Sequence, residues 1–464
     1  MNRKYLTILF IFSFSFTLEK QIYSTVQMMD QVQIINPNNL QIEQTIMTEF
    51  ADENNNCIDY DLEMNCSMAG CEWVIDMCIE NTIQDALNTP HFVALDEING
   101  YWFTTTIASG YVAQFSLLDN SLIDTYFVGD APALLVLDTT AKILYCSRMM
   151  PMNGMGNMMP SGESTIIQSL YYSGIGLSQG HQYEIDSPSP HGLAINHDGS
   201  EVYTASNTAD WLYKINIETG DITGVVMDLE VNNTPDQTTQ RLKPIQCLSV
   251  GNKLFVSCSA GTWMNPWTGQ QIIIPGKLQM WNSDTMELID AYDFGDYSSP
   301  WHIKESPFEN KVYIALSGDN LYDTEGVASL IYTDSELSLE WEVVNDNFEI
   351  LHGIDVSSNG ENIYVTGRGD GHIHKLDLEG NYIDNIFLGS MSMLGGIAIE
   401  KKGLPELGDL NNDSVIDVID VVLGINIIFN PMNAGPYLNF SSDINTDSIT
   451  NVVDIVLMVN IILN

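Results

Sequence analysis

Residues 189–226 read SPHGLAINHDGSEVYTASNTADWLYKINIETGDITGVV. The runs SPHGLAI, EVYTAS, WLYKINI and DITGVV alternate apolar and polar positions and are rich in β-branched and aromatic side chains. Between them lie Asp-Gly, Asn-Thr-Ala-Asp and Thr-Gly turns, so each run predicts a short antiparallel strand. The opening phrase returns as TPHFVALD at Thr89, APALLVLD at Ala131, KPIQCLSV at Lys243, SPWHIKES at Ser299, ILHGIDVS at Ile350 and MLGGIAIE at Met393. A four-stranded sheet cannot bury both of its faces alone, and a period of roughly 40–60 residues stacks such sheets around an axis as propeller blades. Seven openings predict seven blades. The last opening, GGIAIE, lacks partners, and DQVQIINPNNLQIEQTI at residues 30–46 has the texture of two strands around a turn. Closure is therefore expected from residues near 31–47 joining residues near 393–400, which leaves no open edge strand.

The units VYTASNTADWLYKINIETGDITGVV and IYVTGRGDGHIHKLDLEGNYIDNIFLG resemble YVTN-type propeller repeats, over most of residues 89–400. The resemblance implies a scaffold and no particular activity, because propellers host binding proteins and enzymes alike.

With 61 acidic against 16 basic residues the formal net charge is −45. That charge argues against nucleic acid or an anionic membrane surface as partner, both of which need a basic face. Arg3 and Lys4 followed by the apolar run from Tyr5 to Leu18 read as a secretory signal, too short to span a bilayer. The expected organisation is a signal peptide over 1–24, closing strands over 25–50, a cysteine-rich insert over 51–82, the propeller over 83–402 and a calcium module over 403–464. No membrane span is expected after signal cleavage, and the mature chain is expected outside the cell or at its surface. Cys57, Cys66, Cys71 and Cys78 crowd one short polar segment, as in a two-disulfide knot whose pairing stays open. The CEW…C ending weakly resembles the PSI-type modules of secreted proteins. Cys247 and Cys258 flank a predicted hairpin and are expected to bridge across it, leaving Cys146 as the odd thiol.

DLNNDSVIDVID at residues 409–420 and DINTDSITNVVD at 443–454 place oxygen-bearing side chains on one schedule. Asp409, Asn411, Asp413, Asp417 and Asp420 fall at positions one, three, five, nine and twelve of a loop, with the Val415 carbonyl at seven. The second copy supplies Asp443, Asn445, Asp447, Asn451 and Asp454, with Ile449 at seven. Carboxylates crowded this way repel unless a cation lies between them, and alternate hard oxygens suit calcium. Two calcium ions are expected. Each loop runs into an apolar helix, has Asp rather than Glu at twelve and Ser414 or Ser448 rather than Gly at six, and no helix precedes Asp409. Loop-then-helix, twice, resembles a dockerin over residues 408–464. The resemblance implies two packed helices with one face docked to a cohesin-like or other surface protein. Val418, Ile419, Val452 and Val453 replace the family's usual hydroxyl residues, and neither helix carries Lys or Arg, so an apolar interface is expected.

His91, His191 and His352 take the third place of their opening phrases and His302 the fourth, so the four are expected to converge at one mouth of the axis. A ring of imidazoles suits iron, copper or zinc. Met149, Met150, Met152, Met155, Met158 and Met159 offer thioethers that suit copper(I), or an adaptable apolar loop. Arg368-Gly369-Asp370 reads as a turn. There is no Gly-x-Ser-x-Gly elbow, phosphate loop or His-Glu-x-x-His. The favoured reading is a non-catalytic binding or surface-assembly protein with an unidentified ligand at the propeller face. The alternative is a propeller enzyme, metal-dependent at the axial histidines or acting on polysaccharide as dockerin-bearing enzymes do.

Overall fold

The computed structural model describes residues 20–48, 72–74, 77–79, 88–149, 165–401 and 406–463, apart from 232, 266–267, 320–321, 358–359, 412–414, 432–433 and 435. Seven four-stranded antiparallel sheets are arranged in a ring. The innermost strands are the seven opening phrases: Pro90–Asp96, Pro132–Asp138, Pro190–Ile195, Pro244–Val250, Pro300–Glu305, Leu351–Val356 and Leu394–Glu400. We number the blades 1 to 7 in that order. The core lies between blades. Tyr313 and Val327 of blade 5 pack on Leu351, Ile354 and Val365 of blade 6, all fully or nearly fully buried. Tyr23 of blade 7 joins Trp102 of blade 1, whose indole stacks on Phe115 at 3.9 Å.

Blade 7 closes the ring with three N-terminal strands, but the register differs from expectation. The strand hydrogen-bonded to Leu394–Glu400 is Gln21–Val26, with Ile22 opposite Ile399. Gln31–Asn36 and Gln41–Met47 lie outside it. The expected boundary at residue 24 therefore cuts through a buried strand. Gln21–Val26 alternates weakly and directly follows an apolar run, which hides its period from sequence reading. The expected Cys247–Cys258 bridge is also absent. Cys146, Cys247 and Cys258 are free, buried thiols. Cys247 faces Val256 and Cys258 faces Pro244, so the two cysteines are out of register. Of the cysteine-rich segment, Cys57, Cys66 and Cys71 lie outside the described residues. Cys78 falls in the short strand Met77–Ile79, which pairs with Glu72–Val74. Among the described residues no helix is long and apolar enough to cross a membrane.

Among the described residues, three short helices follow the propeller, α1 (Val418–Phe429), α2 (Pro436–Ser442) and α3 (Val452–Leu463). Helices α1 and α3 touch at Gly424, where a Cβ would come within 2.7 Å of Ile455 Cδ1. Leu410, Ile427, Ala434 and Met458 form the small core beneath them. The Ala434 carbonyl sits against Gly174 of blade 2, where a Cβ would lie 2.6 Å from it.

Candidate functional site at the propeller axis

Every innermost strand is entered through a non-glycine residue in the left-handed region: Thr89, Ala131, Ser189, Lys243, Ser299, Ile350 and Met393, with φ between 46° and 57°. Such a conformation is held only when its surroundings over-determine it. Here the carbonyl of each accepts an N–H from the residue at the exit of the neighbouring strand, respectively Ile107, Met149, Asn207, Ser259, Ser317, Arg368 and Gln27. These exit residues therefore share one position around the mouth of the axis. Just inside, the pairing slips between Pro90 and Val93, Pro190 and Gly192, Pro300 and Ile303, and Leu351 and Ile354. A bulge of this kind re-aims side chains, and the residues it re-aims here are His91, His191, His302 and His352.

Hydroxyls lock the bulges together. Thr366 Oγ1 accepts from Gly353 N at 2.7 Å and donates to Gly395 O of the next blade at 2.8 Å. Thr105 does the same for Phe92 N and Ala133 O, and Ser147 for Leu134 N and His191 O. Ser257 joins Gln246 N to Trp301 O in the same way.

The four histidines form one chain of contacts. Ring centroids are 6.4 Å apart for His191 and His91, 5.3 Å for His91 and His352, and 4.7 Å for His352 and His302. All four are at most 5% exposed. Gln27 Nε2 lies 2.6 Å from His91 Nδ1, so with the amide donating, the His91 proton sits on Nε2. His191 Nδ1 donates to Ile245 O at 2.6 Å. Among the described residues His91 Nε2, His302 Nε2 and both ring nitrogens of His352 have no partner. Burial first, then the neighbouring imidazoles and the Arg368 charge, pulls the proton affinity of His91, His302 and His352 down, that of His302 to about 3. Burial likewise lowers His191. At neutral pH the cluster is uncharged.

Below it a cavity of about 450 Å³ runs down the axis, from Phe92 and His302 at its upper end to Glu97, Glu305 and Lys401 at the other. Its charged groups are tied together. Lys304 Nζ is 3.3 Å and Lys401 Nζ 3.9 Å from Asp355 Oδ1, and Asp355 Oδ2 accepts from Ile399 N at 2.9 Å. Burial pushes the Asp355 carboxyl up, but the Lys304 and Lys401 charges outweigh it and hold it below its ordinary value. Sequence reading missed Arg368, Gln27 and this charged base. The signal was present: aligning the repeats puts Gln27 and Arg368 in one column, immediately after the second strand.

In the C-terminal module the described parts of the two aspartate-rich loops make matching bonds to their last carboxylates. Asp420 Oδ2 accepts from Asp417 N at 2.8 Å and its Oδ1 from Asn411 N at 3.3 Å. Asp454 Oδ2 accepts from Asn451 N at 2.9 Å and its Oδ1 from Asn445 N at 3.2 Å. In the second loop Asp443 accepts from Asp447 N and Ser448 N, which curls positions one to six around a centre. Ser448, at position six, has φ +69°, a conformation that would suit the usual glycine. Ile449 and Val415 are at position seven of their loops. Asp409, Asn411 and Asp417 of the first loop are described, and Asp413 lies outside the described residues, as do Met150, Met152, Met155, Met158 and Met159. Met149 packs against the core between blades 2 and 3. Among the described residues no group of three or more His, Cys, Asp or Glu is arranged to hold a metal ion.

No family model matches the chain, and no curated protein matches it. Solved structures do. A functionally unknown protein from Desulfotomaculum acetoxidans superposes with a TM-score of 0.56 at 12% identity, covering 82% of this chain and 99% of that one. A putative 6-phosphogluconolactonase from Bacteroides fragilis gives 0.55 at 12% identity, covering 83% and 99%. Hydrazine synthase of Kuenenia stuttgartiensis gives 0.52 at 10% identity, covering 70% and 98%. At such identities the likeness shows the fold alone: a seven-bladed propeller.

Proposed function

We propose that this chain is a calcium-binding docking protein that works outside the cell or at its surface. Its propeller is the scaffold, and its C-terminal module folds on two calcium ions and binds a partner protein. The observation that carries this reading is electrostatic. Asp420 and Asp454 are 0% exposed, yet residues 403–464 contain no Lys, Arg or His. Buried carboxylates without a compensating cation are strongly disfavoured. Leu410 N and Asn411 N both reach Asp420 Oδ1, whereas Asp420 Oδ2 and both Asp454 oxygens accept one backbone N–H each and keep a second lone pair for a metal. Asp409, Asn411, Asp413, Asp417 and Asp420, with the Val415 carbonyl, would hold one ion. Asp443, Asn445, Asp447, Asn451 and Asp454, with the Ile449 carbonyl, would hold the other.

The docking face follows from the duplication. On α1, Val418, Ile419, Val422, Ile425 and Phe429 are exposed, and on α3 the residues 34 positions later, Val452, Val453, Val456, Val459 and Leu463, are exposed too. Two matched apolar stripes on one small module are the mark of an interaction surface. A cohesin-like or other surface protein is the partner class the dockerin resemblance offers. Capture from an extracellular or cell-surface fraction, on immobilised full-length chain with calcium or with EGTA, tests the reading. The expected result is one partner retained in calcium, released by EGTA and lost in V422D/V456D. Retention unaffected by both treatments would refute it.

A further inference from the structure

We propose that the mouth of the propeller axis is a receptor for a small oxyanion, a carboxylate or phosphate group, held by the Arg368 guanidinium and by imidazole N–H groups of His91 and His352. Three independent observations meet there. Arg368 occupies the blade 6 counterpart of Gln27, and Gln27 reaches a buried imidazole of the adjoining blade at 2.6 Å. The Arg368 N–H is itself bonded to Ile350 O at 2.9 Å, two residues before His352, so its side chain starts at the rim of the histidine cluster.

The second observation is what Arg368 lacks. In a chain of 61 acidic and 16 basic residues a carboxylate partner is easy to find. Arg148 pairs with Asp130, and Arg241 with Asp228 and Glu230. Among the described residues Arg368 makes no ion pair, although Asp370 stands two residues away. Asp370 is committed elsewhere: it accepts from Glu349 N and His372 N and meets His374 Nε2 at 3.2 Å. A half-buried guanidinium that no carboxylate among the described residues pairs with is a fork open to an external one, and its geometry matches the two oxygens of a carboxylate or phosphate.

Third, the imidazole nitrogens that lack partners are buried at the same mouth, on His91, His302 and His352. With the Gln27 amide donating to His91 Nδ1, the ring proton is on Nε2, and no described residue receives it. Buried donors without acceptors are disfavoured, and an oxyanion satisfies them while neutralising Arg368. A transition metal would use the imidazoles but leave the guanidinium charge beside a second cation. An anion accounts for both.

The test is calorimetric titration of the full chain at constant ionic strength with sodium phosphate, with sodium succinate and with sodium chloride, in wild type, Arg368→Gln, Arg368→Lys and His352→Phe. Thermal melts of each variant establish that it is folded. The expected result is saturable one-to-one binding of phosphate or succinate but not chloride. Arg368→Gln should weaken it at least tenfold, Arg368→Lys and His352→Phe by less. Saturation by phosphate alone assigns a phosphorylated ligand, and saturation by succinate alone an organic acid. Failure of both oxyanions to saturate, or equal binding by Arg368→Gln, would overturn the proposal. So would one-to-one uptake of zinc or iron(II) that Arg368→Gln strengthens while neither oxyanion binds.

Discussion

His302 shows how a single buried side chain writes a pH dependence into the fold. Burial keeps it neutral down to about pH 3, whereas the unfolded side chain takes its proton near pH 6.5. Above 6.5 neither state is charged, and the residue's contribution to stability is complete. Below 6.5 the unfolded chain binds the extra proton, so stability falls with pH until His302 itself is protonated. His302→Gln should flatten the loss of stability between pH 6.5 and 4 by up to about 1.4 kcal/mol per pH unit. Denaturant unfolding at stepped pH measures this, and an unchanged slope would mean the imidazole is solvated. At the opposite end of the axis, Asp355→Asn removes the carboxylate that Lys304 and Lys401 share and leaves Lys304 only the weaker influence of Glu305 and Glu97. A loss of about 2–3 kcal/mol in the same unfolding assay is expected. The convergence of the histidines was legible because each occupies a fixed place in its phrase. Arg368 was not, because Arg-Gly-Asp in a turn reads as a turn, and only the left-handed Ile350 beside it reveals that this turn faces the axis.

At the scale of elements, the bulged inner strands stand where they do because neighbouring blades share hydroxyls. Thr366→Val keeps the shape of the side chain but strands Gly353 N and Gly395 O, both buried. It should destabilise by about 2 kcal/mol and leave far-ultraviolet circular dichroism unchanged. Ala205 and Ala315 stand at the corresponding places of blades 3 and 5, so Ala205→Ser is expected to be neutral or stabilising in the same assay. Strand identity was readable from alternation and turn residues in nearly every blade. The closing strand Gln21–Val26 was obscured by the apolar run before it, and Cys247 and Cys258 looked bridgeable only because sequence spacing does not show which residues face one another across a hairpin. The helices read as apolar all round, which implies burial or a partner. The structure buries one side through Gly424, Ile427 and Met458 and leaves the other exposed, with Phe429 and Leu463 each at 77%.

For the whole molecule, the propeller supplies its own core between blades, while the C-terminal module has little core and several buried carboxylates. The two parts should therefore respond differently to chelation. Removing calcium should melt the α1–α3 signal near 222 nm and leave the propeller's high-temperature transition in place. Scanning calorimetry with and without EGTA separates the two. The most direct measurement is the number of calcium ions bound, by calorimetric titration of the chelated full-length chain beside Asp409→Ala and Asp443→Ala variants. Two ions per chain, with one lost in each variant, is the predicted result. A chain that binds no calcium at millimolar concentration, or whose binding both variants retain in full, would contradict the account.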